Sequence, residues 1–82
     1  MDFHLAFVIA DLDNGHAMVR RAAAAYAAFD QAAGDEAKEA AVTAHAAAIR
    51  SMEYISEGDR EDLQQRIDVL RVAIDGLGLN QS

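Results

Sequence analysis

The sequence contains no cysteine, no proline and no tryptophan among its 82 residues. Without cysteine, the chain has neither disulfide bonds nor thiolate metal ligands to stabilise a small fold. Without proline, no residue interrupts a helix by removing a backbone donor. Nineteen residues are alanine, the strongest helix former. The composition therefore predicts an all-α protein that depends on regular helix packing or on self-association.

Basic residues are scarce: seven lysines and arginines stand against fourteen aspartates and glutamates, which gives a net charge of −7. This field repels nucleic-acid phosphates and anionic membranes and attracts basic proteins. No apolar run approaches the ~20 residues of a membrane span, and the N-terminus lacks the basic region of a signal peptide. We therefore expect a cytoplasmic protein that binds neither nucleic acid directly nor a membrane.

The length of the chain fits a single helical domain over residues 1–82. A domain of this size buries only about 60–65% of the surface that its unfolded chain exposes, so a lone monomer is marginally stable. We therefore expect a homo-oligomer.

Four helices are predicted, over residues of about 2–12, 14–33, 35–56 and 59–75. Their boundaries depend on Gly15, Gly34 and Gly58, each of which lies beside an aspartate or asparagine that can cap the next helix. The centre is an antiparallel alanine-rich hairpin with its turn at Gly34 and with Asp35 as the second N-cap. A C-terminal helix and a short N-terminal helix cover this hairpin, which predicts a three- to four-helix bundle.

Apolar residues recur at heptad spacing in the last three predicted helices. The predicted seams are Met18, Ala22, Ala25, Phe29 and Ala32; then Ala37, Ala41, Ala44, Ala48, Ser51 or Met52, and Ile55; then Leu63, Ile67, Leu70 and Ile74. Alanine seams let two helices approach to about 8 Å. Alanines also cover most of the circumference of the second helix, which predicts contacts on more than one side, within the chain or from a second subunit.

The first segment is compatible with two structures. Leu5, Val8, Ile9 and Leu12 have helical spacing, and Asp2 could cap the helix. The alternation of Phe3, Leu5, Phe7 and Ile9 is typical of a strand, which would need a second subunit to pair with. We favour the helix.

Asp11, Asp13 and His16 form a cluster that could bind a divalent cation. The spacing matches no calcium loop, and acids before a helix ordinarily cap it, so we favour capping and predict no metal site.

Residues for catalysis are missing. His4, His16 and His45 are far apart and lie in no metal-binding helix motif, and no serine lies in a nucleophile elbow. Glycine-rich phosphate loops are also absent. We therefore expect a protein that is not an enzyme and has no cofactor. Arg20 and Arg21 could contact a small anion, although a solvated surface pair is the simpler interpretation.

Acidic residues gather at two predicted turns about 30 Å apart. The first cluster comprises Asp30, Asp35, Glu36 and Glu39, and the second comprises Glu53, Glu57, Asp59, Glu61 and Asp62. Helix capping explains much of this pattern. Alternatively, the clusters imitate nucleic-acid phosphates toward a basic protein.

The sequence most favours a non-enzymatic helical protein–protein interaction module that self-associates. Its expected contact surfaces are the alanine faces and the N-terminal side chains of Phe3, Leu5, Phe7 and Ile9. One alternative is a small inhibitor, of the kind that phages or mobile elements encode, which blocks a basic nucleic-acid-binding protein by DNA mimicry. Another is a helical binder of a small anionic ligand at Arg20 and Arg21.

Overall fold

The structure, a computed structural model, describes residues 3–79 and contains in that range three α-helices. They are α1 (Phe3–Ala27), α2 (Gln31–Ser51) and α3 (Glu57–Leu79), with a 3₁₀ turn at Met52–Tyr54 between the last two. No strand occurs in this range, so the prediction of an all-α bundle is confirmed. The first segment is helical from Phe3 onward, as favoured above. The proposed cap Asp2 lies outside the described residues.

The predicted break at residues 13–15 is wrong, because α1 continues through Gly15 for 25 residues. Gly15 is buried against α3. A Cβ atom at this position would lie only 2.6 Å from Cδ2 of Leu70. Gly15 therefore provides the space for a close contact between helices and does not form a turn. The short N-terminal helix of the prediction is the first half of α1.

The predicted turn at Gly34 is also wrong, since the turn between α1 and α2 lies at residues 28–30. Phe29 has the left-handed φ of 62° that usually selects glycine after a helix. Around it, the Phe29 N–H donates to the Tyr26 carbonyl and the Asp30 N–H to the Ala25 carbonyl. Gly34 lies inside α2, where a Cβ would overlap the Tyr26 ring.

Asp30, and not the predicted Asp35, is the N-cap of α2. Its carboxylate accepts a hydrogen bond from the Ala33 N–H at 3.1 Å. The α-helix ends at Ser51, earlier than the predicted residue 56, and the 3₁₀ turn follows.

The third helix begins at Glu57, two residues before the predicted start at Asp59, and it continues past Gly76 to Leu79. The Ser56 hydroxyl donates to the Asp59 carboxylate at 3.1 Å across its first turn. Gly76 does not end the helix, since glycine weakens a helix by only about 1 kcal/mol.

The helices form a rod of 43 × 18 × 14 Å. α1 packs most extensively on α2, and α3 packs on both. The predicted seams are buried, with Leu77 added. The first comprises Ala37, Ala41, Ala44 and Ala48 of α2, with Met52 and Ile55 in and after the 3₁₀ turn, and the second comprises Leu63, Ile67, Leu70, Ile74 and Leu77 of α3. The described helices include none that is long and apolar enough to cross a bilayer.

The predicted seam of the first hairpin helix is wrong at its C-terminal end. The buried residues of α1 are Val8, Leu12, Gly15 and Ala22. Phe29 and Ala32 are exposed, because the chain turns at residues 28–30 instead of continuing the helix. Moving the turn by five residues therefore changes which side chains enter the core.

Candidate interaction surface

Aromatic side chains cluster at the end of the rod where α1 begins. Phe3 and Phe7 are 63% and 57% exposed, and Tyr54 of the 3₁₀ turn is 62% exposed. The His4 ring stacks on the Tyr54 ring with a centroid distance of 4.5 Å, and it meets the Phe7 ring edge-on at 6.4 Å. The start of α1 and the 3₁₀ turn thus present an aromatic surface to solvent.

Leu5 and Ile9, the other apolar residues expected on this surface, lie elsewhere on the helix. Leu5 is half-buried and packs against the main core cluster, so its side chain contributes to the fold. Ile9 is 37% exposed and faces a cleft toward α3. The four side chains of the expected N-terminal surface therefore lie in three different places. Phe3 and Phe7 are at the aromatic end, Leu5 packs on the core, and Ile9 lines the cleft.

The cleft between α1 and α3 has a volume of about 340 Å³. Its lining comprises Ile9, Leu12, Asp13, His16, Gln65, Arg66 and Val69. Three of these side chains are apolar and four are polar or charged, and both helices contribute to each group. Sequence reasoning did not identify this cleft, because it exists only when α3 lies alongside α1.

The acidic and imidazole side chains considered for a cation do not converge. Asp13 and His16 line the cleft, whereas Asp11 is absent from its lining. Asp11 and Asp13 are two residues apart on a continuous helix and therefore point about 200° apart. Within the described range, no group of three or more acidic, histidine or cysteine side chains could hold a metal ion. Loss of the expected turn at Gly15 removes the geometry on which this candidate depended.

The two acidic clusters lie at opposite ends of α2, and all nine side chains are exposed. Several have local roles. Asp30 caps α2, the Asp35 carboxylate accepts a hydrogen bond from the Tyr26 hydroxyl at 2.6 Å, and Asp62 pairs with Arg66 at 3.2 Å. Capping and pairing explain these three acids, and DNA mimicry by the clusters stays a prediction.

The contact with Asp35 also affects Tyr26 itself. The hydrogen bond that the Tyr26 hydroxyl donates to the Asp35 carboxylate raises the pKa of Tyr26 above the usual 10.0. Burial and the negative charge of Asp35 add to the shift. The ionised phenolate would lose this hydrogen bond and face a like charge. Tyr26, in its protonated form, therefore connects the C-terminal end of α1 to the second turn of α2.

Arg20 and Arg21 are exposed on α1 and form no ion pair with any residue in the described part of the chain. They lie on the side of α1 away from the core, and neither lines the cleft. Anion binding at these two residues therefore stays a prediction. α1 carries two acidic and two basic residues and has no net charge, whereas α3 carries six acidic and three basic residues.

Sequence reasoning missed three groups of exposed apolar residues. These are Phe29 in the first turn, Val42 and Ile49 on α2, and Val69 and Val72 on α3. Phe29 is 95% exposed, although the heptad spacing placed it in a seam. The seven-residue spacing of Val42 and Ile49 in the sequence indicates that the two side chains share one side of α2.

Comparison with known proteins does not add to this description. No protein-family model, no curated protein sequence and no solved structure matches the chain.

Proposed function

We propose that this protein is a helical protein–protein interaction module that works without catalysis and assembles through the exposed apolar side chains of α1 and of the turn that follows it. The observation that supports it is the exposure of three phenylalanines at the two ends of α1, namely Phe3, Phe7 and Phe29. Phenylalanine is usually buried, and large exposed apolar side chains that lie near each other, such as Phe3 and Phe7, are typical of an interaction site.

Self-association is part of this proposal. The buried seam of α2 consists largely of alanines, each of which removes little apolar area from water. A small domain with a thin core gains stability when a partner covers its apolar surface. We place the protein in the cytoplasm, in agreement with its lack of cysteine.

Sedimentation equilibrium tests the proposal. We expect the full chain to sediment with a mass that is a multiple of 8.8 kDa, and to dissociate on dilution. The double variant Phe3→Ser with Phe7→Ser should shift dissociation to higher concentration, because it removes apolar area from the interface.

The matched control is Val42→Ser with Ile49→Ser, which removes similarly exposed apolar side chains from α2. It should leave the association unchanged. A chain that remains monomeric up to high micromolar concentration would contradict the self-association proposed here.

A further inference from the structure

We infer that the partner on α1 is a second copy of this chain, docked antiparallel across a two-fold axis at Ala17. This inference depends on the self-association proposed above and adds the surface and its orientation. The surface is called the outer face of α1 and comprises Phe3, Ala6, Ala10, Asp13, Ala17, Arg20, Arg21 and Ala24, together with Ala28 just beyond the end of the helix. Phe7 and Phe29 flank it.

The outer face lies opposite the buried side of α1. Its central positions follow the heptad spacing of a second seam, which begins at Ala6 and ends at Ala24. All of its residues are exposed except Ala17, which is half-buried. Its residues other than Asp13, which also lines the cleft toward α3, are absent from the lining of that cleft. The small side chains allow another helix to approach closely.

Charge selects a second copy in the antiparallel orientation. Asp13 precedes Ala17 by four residues, and Arg21 follows it by four. An antiparallel pair centred on Ala17 therefore places each Asp13 opposite Arg21 of the other copy, with Arg20 adjacent. A parallel pair would place like charges together.

The charge of the whole helix favours the same face. Each chain carries −7, so two copies repel one another at long range. Because α1 has no net charge, its outer face offers a place where they can meet. The side chains that would pair across the axis form no ion pair within the described part of their own chain.

The exposed phenylalanines fit the same register. An axis at Ala17 brings Phe29 of one copy to the level of residue 5 of the other, between Phe3 and Phe7. Phe29 is 95% exposed, and Phe3 and Phe7 are exposed by more than half. At roughly 200 Å² for each residue, the three expose on the order of 430 Å² per copy. That is about half of the ~800 Å² per partner of a stable interface.

Single-cysteine cross-linking tests the arrangement, because the natural chain has no cysteine. On the axis, closely packed helices bring the two Cα atoms of residue 17 within the roughly 4.4–6.8 Å that a disulfide requires. Ala17→Cys should therefore cross-link under mild oxidation about tenfold faster than Thr43→Cys. Thr43 lies on α2 and is more exposed than Ala17, so accessibility alone would favour the control.

Orientation is tested with Ala10→Cys and Ala24→Cys. In the antiparallel dimer these positions face each other, so a mixture of the two variants should form the mixed disulfide, and neither should cross-link efficiently alone. Efficient cross-linking of Ala10→Cys alone would overturn the antiparallel arrangement, since it requires a parallel pair.

Charge reversal provides an independent readout. Asp13→Arg should raise the Kd of the dimer by about tenfold, because the two contacts between residue 13 and Arg21 of the other copy become repulsive. Adding Arg20→Asp and Arg21→Asp in the same chain should restore the affinity. Failure to restore it would count against the pairing across the axis.

The outcomes separate the two proposals. A dimer by sedimentation in which Ala17→Cys cross-links no faster than Thr43→Cys overturns the outer-face dimer and leaves self-association intact. A chain that is monomeric at every concentration overturns both proposals.

Discussion

Replacing Gly15 with alanine measures how closely α1 and α3 approach. Gly15 lies inside α1 and is buried, with Leu70 of α3 directly opposite. The added Cβ would lie 2.6 Å from Cδ2 and 3.2 Å from Cδ1 of Leu70. Ordinary carbon contacts are about 3.5–4.0 Å, so the leucine side chain or the helix must move by about 1 Å.

Two effects of opposite sign determine the change in stability. Alanine is favoured over glycine in a helix by about 0.8–1.0 kcal/mol. Overpacking a closely packed core costs about 1–3 kcal/mol. Leu70 is 0% exposed, so its side chain has no solvent-filled space to move into. We therefore expect Gly15→Ala to reduce the free energy of unfolding by about 0–2 kcal/mol.

The matched control is Gly76→Ala on α3, where an added Cβ meets no atom within 4 Å. It should gain up to about 1 kcal/mol from helix propensity alone. The two variants should differ by about 1–3 kcal/mol, or on the order of 4–20 °C in Tm. Urea and thermal unfolding followed by circular dichroism, at one fixed protein concentration, measures this difference.

The refuting result is a Gly15→Ala protein that is stabilised as much as the Gly76→Ala control. A second measurement uses Leu70→Ala, which removes the opposing side chain. In the natural chain it should cost about 2–5 kcal/mol, and in the Gly15→Ala chain it should cost less. Equal costs in both backgrounds would show that the two positions do not interact.

Three further predictions concern the turn between α1 and α2. Asp30→Ala should reduce the free energy of unfolding by about 0.5–2 kcal/mol, because the Ala33 N–H loses its capping hydrogen bond. Asp30→Asn should retain most of that stability, since asparagine also caps helices. If urea unfolding shows that both variants lose the same free energy, the capping role is contradicted. Phe29→Gly should stabilise the monomer by about 1 kcal/mol, because glycine adopts the φ of 62° without strain. The same variant should dissociate at higher concentration in sedimentation equilibrium, because it removes an apolar side chain from the dimer interface. A destabilised monomer would show that the Phe29 backbone is not strained. The pKa of Tyr26 is raised, so the Tyr26–Asp35 contact stabilises the fold below the unfolded pKa of about 10 and loses this effect as pH rises through the folded pKa. Asp35→Asn should return the Tyr26 phenol titration, followed by ultraviolet absorbance in a Tyr54→Phe background, toward its usual range; an unchanged titration would show that Asp35 is not the cause.

Much of the fold is predictable from local physics. Nineteen alanines and no proline favour helix throughout, and the heptad spacings in α2 and α3 predict their buried residues because side chains three and four apart share one side of a helix. The choice of helix for the first segment is confirmed for the same reason, since Val8 and Leu12 are buried at helical spacing.

The turns could not be predicted from glycine and capping residues. A glycine serves either in a left-handed turn or at a close contact, and the sequence around it is compatible with both. Gly15 contacts Leu70, which lies far away in the sequence, and Gly34 contacts Tyr26, which lies eight residues before it. Both contacts are recognisable only in the folded chain. Phe29 meanwhile adopts the left-handed conformation itself.

The candidate surface was predicted in part. The sequence indicated Phe3 and Phe7 because the N-terminal segment is rich in large apolar residues, and both are exposed in the structure. It gave no indication of Phe29, whose exposure follows from the position of the turn. The cleft between α1 and α3 also depends on how the helices pack.

Composition and spacing alone determined that this chain is helical and acidic and that alanines form the seam of its central helix, because these properties depend on residues within a few turns of each other. Only the tertiary structure decided where the helices end and which apolar side chains remain in solvent. The reason is physical. Leu70 of α3 packs against Gly15, and the Tyr26 ring packs against Gly34, so both glycines lie at close contacts inside helices and not in turns. The turn therefore moves to Phe29, which leaves its side chain exposed at one end of α1 while Phe3 and Phe7 are exposed at the other.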